Sequence, residues 1–316
     1  MTHSSFHTSG RPDSALGGIV CATLTPLTAD GEIDIGRMAS HIRGLFADGC
    51  SFVSPFGSTG EGPSFSVAQK LEALRGLNAM GIASDRLIPA SMSPALDDIY
   101  ELVRFAAGEG YRAALIAPPF YYGSASQEGI ADVFAALADR FGGALPIDII
   151  LYHIPQLTGI PFGVDLVRAL RQRHGARIAG IKDSTGDHAH TLMLQRNFPD
   201  LAIFTGDDRV LPDLLLTGGA GMIGGLPNIV AADLCAIARD PGGAGTAELR
   251  ANAALRIEAI DALGGISALK AVKARLVADP QWRATMPPLR ALSESDSAEL
   301  FARLRHSKFA FGPEPV

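Results

Sequence analysis

Lys182 stands directly after the apolar run Ile178-Ala179-Gly180-Ile181. Such a run reads as a strand buried on both faces. In a barrel of parallel strands, reactive groups sit at the C-terminal strand ends. Desolvation there disfavours an ammonium, so a free amine is available to attack a carbonyl and form an imine. Strand context alone fits equally a lysine that reaches for solvent. Tyr152 ends the preceding run, Ile147 to Leu151. On an adjacent strand its phenol would stand near Lys182 and could shuttle a proton as a carbinolamine collapses. The plainer alternative is a rim tyrosine with its hydroxyl hydrogen-bonded. Gly57-Ser58-Thr59-Gly60-Glu61 follows the second apolar run. Two hydroxyls and glycine-freed backbone amides suit a small anion such as a carboxylate. A loop of turn formers competes with that reading. No Gly-Lys-Ser/Thr follows, so the segment is not a P-loop.

Weaker candidates lie further along. Gly206-Asp207-Asp208-Arg209 follows the seventh run. It either binds the hydroxyls of a polyol or caps the next helix, and capping is the preferred reading for Asp207. His188 and His190 are two apart, so on a helix they face different ways, make a poor metal pair and are expected at the surface. Phe120-Tyr121-Tyr122 is apolar enough for core or interface.

These positions need a scaffold, and the pattern supplies one. Eight short apolar runs alternate with helical stretches: Ile19–Ala22, Phe52–Pro55, Leu87–Ala90, Ala113–Ile116, Ile147–Tyr152, Ile178–Ile181, Leu201–Phe204 and Gly221–Ile223. Ser66-Val67-Ala68-Gln69 is a capping box opening one of the helices. Strand–helix alternation implies parallel pairing through right-handed crossovers. Eight units favour a closed (β/α)8 barrel over an open sheet. After Asp240-Pro241-Gly242-Gly243 the strands cease. Thr246–Leu263, Ser267–Ala278 and Ser293–His306 read as three helices. The expected division is a flexible polar tail over 1–16, a catalytic barrel over 17–240, and a C-terminal helical segment over 241–316.

Composition narrows the class. The chain has 316 residues, 47% of them apolar, and a formal net charge of −6. That charge argues against a nucleic-acid surface. No apolar stretch reaches the roughly 18 residues of a membrane span. Cys21, Cys50 and Cys235 form no CxxC pair and read as small buried residues of a reducing cytoplasm.

Taken in order, these segments resemble the dihydrodipicolinate synthase / N-acetylneuraminate lyase family. The matches are Thr25-Pro26-Leu27, Gly57 to Glu61, Tyr121-Tyr122 with Ser126 to Gly129, and Leu151-Tyr152 with Pro155 and Thr158-Gly159. Gly180 to Asp187, Gly206-Asp207-Asp208, Gly218 to Gly221 and Ala268-Leu269-Lys270-Ala271 continue the series. The resemblance implies a TIM barrel and assigns roles. Lys182 matches the imine-forming lysine and Tyr152 the proton-relaying phenol. Ser58 and Thr59 match the pair that holds the pyruvate carboxylate, with Thr59 also in the relay. Tyr122 matches a tyrosine lent across a tight dimer interface. Gly57, Gly206, Asp208 and Ile223 complete the expected substrate-binding set. The resemblance further implies no metal or organic cofactor, and a homotetramer (a dimer of dimers) or a homodimer.

Departures from the family pattern narrow the substrate. Leu157 occupies the position where lysine-pathway synthases carry an arginine, and it cannot make the bidentate pair to a carboxylate. Ser58-Thr59 looks more like the sialate lyase and sugar-acid aldolase branches, yet those usually carry Asn where His153 sits. Arg209 stands where sialate lyases carry an acid. The expectation is a cytoplasmic Schiff-base lyase or aldolase for a 2-oxo acid such as pyruvate and an aldehyde, with a 2-keto-3-deoxy sugar acid as donor. Dihydrodipicolinate synthase, an imine-assisted dehydratase or deaminase, and a non-catalytic keto-acid sensor are the alternatives.

Overall fold

Eight parallel strands carry the molecule: β1 (Gly18–Ala22), β2 (Phe52–Ser54), β3 (Ala90–Ser91), β4 (Ala114–Ile116), β5 (Ile149–His153), β6 (Ile178–Asp183), β7 (Ala202–Thr205) and β8 (Gly221–Gly224). They follow the order β2-β1-β8-β7-β6-β5-β4-β3. This computed structural model describes residues 16–311. The ends of the sheet meet between β2 and the approach to β3. Ile88 N–H donates to Val53 O at 2.9 Å, and Ala90 N–H to Pro55 O at 2.9 Å. The sheet is thus a (β/α)8 barrel. The third strand lies later than the run Leu87–Ala90 suggests. Pro89 has no N–H for a ladder, and Leu87 makes only an isolated bridge to Val53.

Helices follow the strands. They are α1 (Ile35–Ala47), α2 (Val67–Ala79), α3 (Leu96–Gly108), α4 (Gln127–Asp139), the short α5 (Pro155–Thr158), α6 (Val164–His174), α7 (His188–Asn197), α8 (Leu211–Leu216) and α9 (Pro227–Arg239). Their starts obey local chemistry. Ser66 and Gln69 form the capping box of α2, and Asp34 caps α1 by accepting from Arg37 N–H. Beyond Asp240 come α10 (Thr246–Ala262), α11 (Ile266–Leu276) and α12 (Glu294–Arg305). Residues 1–15 of the expected tail lie outside the described residues, and Leu16 is buried at the barrel.

Strand alternation divides the core in two. Val20, Ala22, Leu115, Ile150, Tyr152, Phe204 and Ile223 fill the barrel interior. Ile19, Cys21, Val53, Ile149, Leu151, Ile181 and Ile203 face the helices. Inner and outer residues alternate along the strands, as period-two geometry requires, except at a bulge in β6. The three cysteines are free and buried. Among the described residues no helix is long and apolar enough to cross a membrane.

Candidate active site

Strands β2, β5 and β6 bring the candidate groups together at their C-terminal ends. Tyr152 and Lys182 are register partners across β5 and β6. Both are almost fully buried. The Lys182 Nζ lies 4.0 Å from the Tyr152 ring centroid. The Tyr152 hydroxyl is 3.1 Å from Ser58 Oγ. Burial opposes a phenolate, but the Lys182 charge and hydrogen bonds from Ser58, Lys182 and Ser184 outweigh it, and the phenol is held below its ordinary value.

The loop after β2 is held by its own backbone. Glu61 N–H donates to Ser58 O and Gly62 N–H to Gly57 O, both at 3.0 Å. Gly60 admits no side chain, since a Cβ there would lie 2.8 Å from Thr23 O. Glu61 has a left-handed φ of 54° and makes an ion pair with Lys270 of α11. Neither side chain of the pair is exposed. Glu61 Oε2 also accepts Met286 N–H at 2.7 Å, and Lys270 Nζ donates to Ala284 O at 2.5 Å. The C-terminal segment therefore clamps the loop that carries Ser58 and Thr59. Sequence reading tied Lys270 to the family pattern but missed this contact.

A cavity of about 390 Å³ opens above these groups. Thr59, Gln156, Ser184, Gly206, Asp208 and Arg209 line it, and Ile257, Asp261 and Leu269 close it from the C-terminal helices. Lys182, Tyr152 and Ser58 are not on its lining. Ser184, bonded to Tyr152, and Thr59, next to Ser58, connect the two levels. A Cβ at Gly206 would meet Ser184 Oγ at 2.3 Å and Ser184 Cα at 3.1 Å, so a side chain there would displace Ser184. Gly57 faces no comparable obstacle. Ile223 is wholly inside the barrel and does not line the cavity.

Asp208 is 3% exposed, and its Oδ1 has no hydrogen-bond partner among the described residues. Burial first, then Asp207, push its carboxyl up to about 7. Asp207 departs from the expected capping role. The residue preceding α8 is Val210, with no side-chain cap. Asp207 instead accepts Arg209 N–H at 2.9 Å and grips the Arg209 guanidinium, with Nη2 to Oδ2 at 2.6 Å. Burial raises the Asp261 carboxyl as well.

His190 corrects a second expectation, since it is not a free surface residue. Its Nδ1 is 2.9 Å from Asp183 Oδ2, and its ring stacks on His153 at 4.8 Å. His153, Asp183 and His190 place ligand-type atoms within 4.8 Å of one another. Several of their polar atoms are already committed. Asp183 also accepts from Thr185 N–H, Thr185 Oγ1 and Thr191 Oγ1, and His153 Nδ1 accepts Phe162 N–H at 2.9 Å. The cluster braces the ends of β5 and β6 directly behind Tyr152 and Lys182. Alternation along the strands gives no signal for it. His188 is 3.3 Å from Asp213 and stays partly exposed. Tyr121 and Tyr122 are 75% and 74% exposed, which removes the core alternative.

Residues 15–306 match the dihydrodipicolinate synthetase family. The chain belongs to that family. It is 41% identical over 210 residues to an uncharacterized DapA-like lyase of Chloroflexus aurantiacus, covering 65% of this chain and 68% of that protein. It is 31% identical to a 4-hydroxy-tetrahydrodipicolinate synthase of Corynebacterium urealyticum, covering 81% and 83% respectively. In structure it resembles a dihydrodipicolinate synthase of Agrobacterium tumefaciens, with a TM-score of 0.85, 29% identity, and coverage of 92% of this chain and 98% of that one. The fold is shared with a 2-keto-3-deoxygluconate aldolase of Sulfolobus, with a TM-score of 0.82, 22% identity, and coverage of 92% and 96%.

Proposed function

We propose that this chain is a lyase that forms an imine between Lys182 and a 2-oxo acid. The observation that carries the reading is the placement of the Lys182 Nζ 4.0 Å from the Tyr152 ring, with the phenol bonded to Ser58. Tyr152 takes a proton from the Lys182 ammonium, and the freed amine attacks C2 of the 2-oxo acid, whose carboxylate rests on Ser58 and Thr59. Tyr152, with Thr59 in the relay, moves protons as the carbinolamine loses water. The resulting iminium is an electron sink. Tyr152 then takes the proton of the C4 hydroxyl, the C3–C4 bond breaks toward the iminium, and an aldehyde leaves. The enamine regains a proton at C3, and water releases pyruvate and the free lysine. The donor is a 2-keto-3-deoxy sugar acid or a related hydroxy-acid, whose hydroxyls face Gly206 and Asp208. Neither a metal nor an organic cofactor enters this scheme.

A second reading, dihydrodipicolinate synthase, draws on the relatives that carry that name. Leu157 disfavours it, because this 65% exposed apolar side chain offers no charge to a substrate carboxylate. An imine-assisted dehydratase or deaminase would use the same Lys182 adduct with a different leaving group. The exposed pair Tyr121-Tyr122 fits a subunit contact, with Tyr122 lent across it in a homodimer or homotetramer. We infer a cytoplasmic location from the three cysteines, which are all free and buried.

Borohydride trapping with pyruvate, followed by peptide mass mapping, tests the reading. A reduced adduct on Lys182 that is absent in Lys182→Ala supports it. Folded protein with excess pyruvate and no adduct sinks it. An adduct without cleavage of any sugar-acid donor identifies a sensor.

A further inference from the structure

A second cavity, of about 520 Å³, lies outside the barrel between α1, the start of α9, α11 and the turn that carries Trp282. None of the groups assigned to the imine chemistry lines it.

Its inner wall is His41, which is 6% exposed. The His41 Nε2 is 2.9 Å from Asn228 Oδ1, which also accepts Leu24 N–H at 3.0 Å. The orientation of Asn228 is fixed, because its Nδ2 donates to Ala22 O at 2.9 Å and to Gly225 O at 2.7 Å. His41 must therefore donate from Nε2, which leaves Nδ1 an acceptor in the neutral ring. No partner for Nδ1 exists among the described residues. Burial first, then the Lys273 charge, push the ring down to about 3, so it is neutral near pH 7.

Lys273 supplies the complementary group. It is half-buried, and burial lowers its ammonium from the ordinary value. Its Nζ lies 5.8 Å from the Trp282 ring centroid. Asp48 lines the same cavity and its charge acts on the ammonium, but among the described residues Lys273 makes no ion pair. Arg37, the other cation of the wall, is already held by Asp34 and Asp279. The cavity thus presents an ammonium outside any ion pair, one uncommitted acceptor nitrogen and an indole, with the Asp48 carboxylate on the same wall.

We propose that this cavity binds a small carboxylate carrying a hydroxyl or amino group, with the carboxylate on Lys273 and the neighbouring proton on His41 Nδ1. A charge-assisted bond and a neutral one together set the orientation. The site is separate from Lys182 but not isolated from it. Gly225, which accepts from Asn228, lies against Thr59, where a Cβ would come within 3.1 Å of Thr59 Oγ1.

Trp282 is the sole tryptophan of the chain, so its emission reports on this cavity. The full chain is titrated with D-gluconate, L-alanine and inorganic phosphate. The expected result is a saturable change with gluconate or alanine, and whichever responds identifies the hydroxyl or the amine as the donor. Lys273→Met should weaken that response by about tenfold or more, with an unchanged thermal melt. Lys182→Ala should respond as the parent does. No saturable response to either carboxylate overturns the proposal, as does an equal response to phosphate or an undiminished response in Lys273→Met. A response lost in Lys182→Ala places the ligand at the imine site and overturns it too. Failure to trap pyruvate leaves this result untouched, so the two readings fail separately.

Discussion

Tyr152 and Lys182 face each other because β6 carries one extra residue. Ile149 pairs with Ile178, and Ile150 then pairs with Gly180, so Ala179 has no partner of its own. Ile178 belongs to the outer core. Unbroken alternation from there would turn residue 182 toward the helices. The bulge shifts the phase, and Lys182 joins Tyr152 on the inner face.

Gly180 makes that shift possible. A Cβ at this position would sit 2.8 Å from Ala202 O, and a backbone oxygen of the neighbouring strand cannot move aside alone. Gly180→Ala is expected to cost about 1–3 kcal/mol and to turn Lys182 off the Tyr152 ring. Denaturant midpoints measure the first effect and borohydride trapping rates the second. An unchanged midpoint with an unchanged trapping rate would refute the account.

Tyr152→Phe keeps the ring beneath Lys182 and deletes the hydroxyl bonded to Ser58. Pyruvate should still be trapped, more slowly, while aldol turnover falls by about 10²–10⁴-fold. In the parent, the basic limb of the pH profile should lie below the ordinary phenol value of about 10, because Lys182 and the hydrogen bonds favour the phenolate. Steady-state rates across pH decide this, and a variant with parental turnover would remove Tyr152 from the relay.

The Glu61–Lys270 pair is wholly buried, so removing one partner strands a charge. Lys270→Met is expected to cost about 3–5 kcal/mol and to raise KM for the 2-oxo acid, since the Ser58-Thr59 loop loses its clamp. The double variant Glu61→Leu/Lys270→Met should regain stability relative to Lys270→Met without restoring KM. Melts and initial rates on all three proteins test the separation. A double variant with parental KM would show that the clamp does not position the loop.

The barrel was legible because each of its eight strands is a short apolar run, and the catalytic pair because it ends two of them. The third strand slipped because Pro89 interrupts the ladder that its apolar neighbours suggest. The His153–Asp183–His190 brace was not legible, since it joins a strand to the first turn of α7 across the barrel rim, and neither period marks such a contact. Asp261 and Ile257 were hidden for the same reason, because only folding brings α10 over the strand ends. The phase shift at Ala179 leaves no trace in a run that is apolar on both faces.

Two neutral buried histidines set an acid limit on stability. His153 is held at about 4 by burial, and His41 at about 3. Both lie below the unfolded value of about 6.5. Their contribution is complete above pH 6.5 and is lost as pH falls through the folded values. For His153 alone the loss reaches up to about 3 kcal/mol. Denaturant unfolding from pH 8 to 4 should show a fall that begins below about 6.5, and His153→Asn should be flatter over that range. An equally steep fall in the variant would assign the acid sensitivity elsewhere.

Asp208 works in the opposite direction, and it bears on the substrate. Its folded value near 7 is raised, so its contribution is full below the unfolded value of about 3.9 and is lost as pH rises through 7. Asp208→Asn should therefore be more stable than the parent above pH 7, by up to about 4 kcal/mol, with the gap closing toward pH 4. A chain that keeps such a group trades stability for function. The unpartnered Oδ1 on the cavity wall is suited to a substrate hydroxyl. The surrounding charge selects the kind of substrate, because Arg209 is held by Asp207 while Asp208 and Asp261 remain. An uncharged polyol aldehyde should be accepted over its phosphorylated counterpart, and Asp208→Asn should narrow that preference while raising KM for the polyol. Competition between the two aldehydes, run on parent and variant, measures both effects. A parent that prefers the phosphorylated aldehyde would mean that Arg209 leaves Asp207 to meet it.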